Sequence, residues 1–174
     1  MLTASAVACP PPVLFGGYSS GAHVAASLLQ RPDLLKLRGL PAPSEGLCDG
    51  VMHISGLFLP KPCVVGSVPA RLAKLLISLV FGPAAPSLPS VLARAELSPR
   101  LPHLLIDCER EAFGVWPIEG LMQCLLGGAA YAVALQNLGV SVMHVTVRSN
   151  HWGMLSSTQL DDALRRHMCT WPKA

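Results

Sequence analysis

The sequence predicts an α/β protein with about four mostly parallel strands in one sheet, helices on both faces, and a helical, lid-like insertion. Short apolar runs alternate along the chain with stretches of helical periodicity, the pattern of consecutive βαβ units. The first of these runs enters a Gly-x-Ser-x-Gly turn and leaves it directly into good helix formers. Bulk composition agrees, since 174 residues, 51% hydrophobic and only 13% charged, are enough for one domain with a real core and short for two. The expected organisation is therefore a single domain over 1–174, with 60–101 as the insertion.

The elements follow in order. Pro10-Pro11-Pro12 can neither continue a helix nor donate to a sheet, so the first strand begins at about Val13. A helix from Ser20 to Gln30 follows and stops near Arg31-Pro32. Residues 39–50 form a polar loop rich in proline and glycine. Val51 to Ser55 reads as a second short strand running into Gly56-Leu57-Phe58.

From Lys61 to Leu101 the chain becomes proline-rich around one helical stretch. Leu72, Leu75, Leu76, Leu79 and Val80 recur at helical spacing. Functionally this stripe would be a lid over a substrate pocket. The stripe taken alone favours an ordinary covering helix, since most such stripes face a core. His103 to Ile106 is a third strand, and residues 117–138 form a long apolar helix whose Gly127-Gly128-Ala129-Ala130 would pack closely on a sheet. Val140 to Val147 is a fourth, β-branched strand. Ser156 or Ser157 caps a last helix with Asp161, Asp162, Arg165 and Arg166 on its polar face.

Several function classes are disfavoured by the same residues. Thirteen Lys plus Arg against 10 acidic residues give a net charge of +3, scattered without a basic run, so no nucleic-acid or membrane footprint is expected. The six cysteines are spread without a Cys-x-x-Cys pair or Cys/His cluster, which argues against zinc and against a disulfide scaffold. No metal or cofactor is implied. Met1 to Val7 lacks the features of a signal peptide, and no apolar run approaches the ~18 residues of a membrane span. A cytoplasmic protein is the expectation.

The chemistry-bearing stretch is Val13 to His23, with Gly17-Tyr18-Ser19-Ser20-Gly21 at its centre. Read as a nucleophile elbow, it lifts the Ser19 hydroxyl clear of the backbone on a strained strand-to-helix turn. Gly17 and Gly21 are there to avoid clashes that a Cβ would cause. The Ser20 N–H and the helix dipole then face the point where an oxyanion would form. A plain glycine-rich turn would show the same short pattern. Behind the turn, however, come a carboxylate cluster after the third strand (Asp107, Glu109 and Glu111) and a histidine, His151, after the fourth. Serine, acid, histidine is the chain order of one kind of hydrolytic triad. His23, His53, His103, His144 and His167 read as structural or solvent-facing.

On Gly16 to His23, Ile54 to Phe58, Leu97-Ser98-Pro99 ahead of Pro102 to Ile106, and Ser149 to Trp152, the chain resembles the C-terminal half of an α/β hydrolase. The nearest group is that of esterases and kynurenine formamidase-like enzymes, which also includes prenylcysteine methylesterase-like enzymes. The resemblance implies Ser19 as nucleophile, His151 as general base, and Glu111 as the triad acid, in a slot where the family more often carries Asp. Asp107 is the alternative acid and Glu109 the third. It also implies hydrolysis of a small carboxylic ester or arylformamide as the activity. Members have four earlier strands and a His-Gly-Gly loop that supplies oxyanion donors. Neither is found in this sequence, so a fragment is expected, with the first strand at a sheet edge through which two copies would pair. A non-catalytic remnant acting as a binding or structural module is the alternative.

Overall fold

The computed structural model describes residues 12–58, 100–110 and 127–168, with positions 71, 75, 78 and 97. Strands β1 (Leu14–Tyr18), β2 (Gly50–Ile54), β3 (His103–Arg110) and β4 (Val142–Asn150) form one sheet in the order β1-β2-β3-β4. All three pairings are parallel. In register, Tyr18 lies opposite Ile54, Ile54 opposite Ile106, and Ile106 opposite Val145. The strands step across the sheet in chain order, and because all are parallel, every strand starts at one end of the sheet and the chain leaves each from the other.

Helices α1 (Ser20–Leu29), α3 (Gly128–Asn137) and α4 (Thr158–Met168) cover the sheet, and the short α2 (Pro32–Leu37) follows α1. Side-chain alternation on β3 shows how the two faces are divided. Leu105 packs with Ala26 of α1 and with Tyr131, Ala132 and Leu135 of α3. Leu104, Ile106 and Cys108 pack on the opposite side with Val147, Met154 and Leu160 of α4. Covered on both faces, β2 and the first half of β3, His103 to Ile106, are almost wholly buried, as interior parallel strands are. No helix among the described residues is long and apolar enough to cross a membrane.

Three details differ from or sharpen the sequence reading. Gly127 has φ 60° and ψ 25°, in the left-handed region, so α3 begins at Gly128; residues 117–126 of the helix expected over 117–138 lie outside the described residues. Ser157 is the cap chosen for α4, its Oγ accepting from Gln159 N–H at 3.2 Å, while Ser156 bonds back to Gly153 O. The insertion 60–101 falls almost wholly outside the described residues. Of its apolar stripe only Leu75 is described, helical and exposed.

Candidate active site

Ser19 closes β1 and opens α1 in a conformation that few residues other than glycine adopt, φ 55° and ψ −122°. Its N–H donates to Ile54 O at 2.8 Å, which ties the turn to the end of β2. The close approach needed here falls on the glycines before the serine. A Cβ on Gly16 would lie 1.8 Å from Met52 O, and one on Gly17 would lie 2.4 Å from the Gly21 carbonyl carbon. Gly21 faces open space, so the expectation that both flanking glycines avoid clashes is corrected. Only Gly17 does so, because α1 turns back over it.

Although Ser19 stands at the N-cap position of α1, its side chain makes no capping bond. The hydroxyl instead meets His151, whose Nε2 lies 3.1 Å from Ser19 Oγ. His151 follows β4 directly and is only 5% exposed. Its turn is tightened by Gly153 N–H donating to Asn150 Oδ1 at 2.7 Å, and is anchored by the fully buried Met154. Tyr18, beside Ser19, donates its hydroxyl to the His151 carbonyl, and its ring centroid lies 4.9 Å from the imidazole. Trp152 meets the same ring edge-on, with centroids 5.4 Å apart. Ser20 is the first residue of α1, where an N–H has no partner within the helix.

The carboxylates behave differently. Glu111 lies outside the described residues. Glu109 is exposed near the end of β3. Asp107 is bound to another histidine, with His144 Nε2 2.7 Å from Asp107 Oδ2. That bond holds the His144 imidazole above its ordinary pKa against a smaller desolvation effect. Beneath the pair runs the start of α3, and a Cβ on Gly128 would fall 2.1 Å from Asp107 Oδ2. The carboxylate therefore sits against a helix N-terminus, where negative charge is favoured. Sequence reasoning singled out neither this pair nor Tyr18. Tyr18 was visible inside the motif, but nothing in the sequence marks a hydroxyl 133 positions from the carbonyl it meets.

His23 is a structural tie, with Nδ1 2.6 Å from Leu57 O. His53 and His103 lie deep beneath the site, with ring centroids 5.9 Å apart and His53 edge-on to Phe58 and Tyr131. Burial pushes His53 down to about 3, helped by His103, and pushes His103 down to about 4. Both are neutral across the physiological range. Among the described residues no group of three or more His, Cys, Asp or Glu is placed to hold a metal ion.

The sequence matches no family model. It matches no curated protein. Among solved structures it is similar to the esterase Est22, with a TM-score of 0.45 and 14% identity over 87% of this chain and 45% of that one. The chain thus spans less than half the length of that esterase. Its α/β class is evident from the four-stranded parallel sheet itself.

Proposed function

We propose that the chain carries the nucleophile and base of a serine hydrolase acting on small carboxylic esters or arylformamides. The observation that supports it best is Ser19 Oγ 3.1 Å from His151 Nε2, on a turn whose backbone is strained to hold the hydroxyl there. A serine hydroxyl is a weak nucleophile until a base within hydrogen-bond reach takes its proton. Strain of this kind costs ~1–3 kcal/mol and persists where the surrounding structure enforces it.

In this reading Ser19 Oγ attacks the substrate carbonyl as His151 Nε2 accepts its proton. The oxyanion of the tetrahedral intermediate meets the Ser20 N–H and the positive end of α1. His151 then passes the proton to the departing alcohol or amine, and water releases the acyl group by the same steps in reverse roles. Glu111 is proposed to fix the imidazole tautomer. The role is not given to Asp107, whose carboxylate is bonded to His144.

The test is covalent labelling by a fluorophosphonate, with Ser19→Ala as control, followed by turnover of p-nitrophenyl acetate and formanilide. Labelling that Ser19→Ala abolishes supports the reading. A chain that stays unlabelled, or is labelled equally in Ser19→Ala, overturns it.

A further inference from the structure

We infer that Tyr18 is the positioning residue that holds His151 in register with Ser19, an assignment whose catalytic meaning rests on the hydrolytic reading above. The need for such a residue follows from the topology. In the order β1-β2-β3-β4, the strands that deliver Ser19 and His151 are at opposite ends of the sheet. Three inter-strand gaps of ~4.8 Å separate them, ~14 Å in all. No ladder hydrogen bond therefore fixes the distance between the two side chains. The turn after β4 has to lean back across the ends of β2 and β3, and something at β1 has to receive it.

Tyr18 receives it at two points. Its hydroxyl donates to the His151 carbonyl, which locates the main chain of the turn. Its ring lies 4.9 Å from the imidazole at a tilt of 34°, which limits how the side chain rotates. On the far side, Asn150 and Met154 hold the same turn to β4 and to the core. The Tyr18 ring itself packs against the cluster of Ile54, Leu104, Ile106 and Met154, so it is no loose tether. Because the chain turns sharply at Ser19, Tyr18 reaches down to this apolar face while the next residue presents its hydroxyl to the imidazole. Both halves of the Ser19–His151 pair are thus referenced to one strand end. A displacement of ~1 Å between reacting groups can cost ~10²-fold in rate, so such a tether has a measurable effect.

Tyr18→Phe removes the hydroxyl and little else. Two measurements on the whole chain test the assignment. The first is the concentration dependence of fluorophosphonate labelling, in which Tyr18→Phe should lower the saturating rate about tenfold or more without weakening reagent binding. The second, independent of activity, follows the His151 ring by imidazole ¹⁵N NMR. Ser19→Ala should move the Nε2 resonance in the otherwise native chain, and Tyr18→Phe should cut that movement by more than half. Unchanged labelling with the NMR response intact overturns the role of Tyr18 and leaves the hydrolytic reading standing. A native chain that is never labelled, but whose NMR response depends on Tyr18, supports the positioning role and overturns the hydrolytic reading. Absence of any response to Ser19→Ala in the native chain overturns the positioning role.

Discussion

Asp107 and His144 join neighbouring strands across a diagonal, with Oδ2 and Nε2 2.7 Å apart, and the first residue of α3 is a glycine because their carboxylate lies over it. Of the carboxylates on and just after β3, Asp107 is thereby committed to a partner other than the histidine beside Ser19. Glu111→Gln is expected to lower kcat/KM by up to ~10⁴, the loss seen when the carboxylate that orients a catalytic imidazole is neutralised. Asp107→Asn should lower it by less than about tenfold while costing ~1–3 kcal/mol of stability through the weakened His144 bond. Hydrolysis kinetics and urea unfolding on the two variants check this. The reverse ranking would move the acid role to Asp107.

Stability should fall steeply in mild acid. His53 and His103 have folded-state pKa values of about 3 and about 4, below the ordinary 6.5, so the unfolded chain binds more protons between those limits. Their contribution is intact above about pH 6.5 and is lost as pH falls toward the folded values. Each adds a slope of about 1.4 kcal/mol per pH unit once well below its unfolded pKa. His144 acts with the opposite sign, because its pKa is raised by Asp107 and its bond is strongest when protonated. Neither ring nitrogen of His103 has a hydrogen-bond partner among the described residues, so an apolar replacement forfeits nothing there. Urea unfolding of His103→Leu from pH 7 to 4.5 should show a shallower loss than the native chain. An unchanged slope would show that His103 is not the group titrating.

The two glycines flanking Ser19 should respond in opposite ways. Gly17→Ala places a Cβ 2.4 Å from backbone atoms that cannot move without displacing α1, and is expected to cost ~3 kcal/mol or more and to abolish labelling. Gly21→Ala enters open space within a helix, where alanine is favoured over glycine by up to ~1 kcal/mol. Thermal unfolding of the pair separates them, and equal destabilisation would mean that the turn is built differently.

Ser19→Gly should unfold at a higher temperature than the native chain. The serine occupies φ 55° at a cost of ~1–3 kcal/mol, which glycine avoids in part. Glycine also has more freedom to lose on folding, so the expected net gain is about 1 kcal/mol. Calorimetry of Ser19→Gly beside Ser19→Ala reads the difference, since alanine keeps the strain and loses only the hydroxyl. If the alanine variant is as stable as the glycine one, the backbone at Ser19 is not strained.

The sequence alone determined the features that depend on near neighbours. Four apolar runs of strand length, separated by helical periodicity, were enough to establish a parallel α/β sheet, because period and burial are local properties of the chain. The strand-to-helix turn at Ser19 was equally legible, since the glycine before it is a steric requirement between residues four apart. Contacts between distant segments were not. Whether Asp107 meets His144 or another histidine is set by the diagonal register of β3 on β4 and by α3 packing over both. That Ser19 and His151 lie 3.1 Å apart was decided by the tertiary structure, which bends the turn after β4 back over the sheet toward β1. The physical reason is that these distances depend on how strands and helices stack, and the energy selecting one stacking is summed over the whole core. No short stretch of sequence contains that sum.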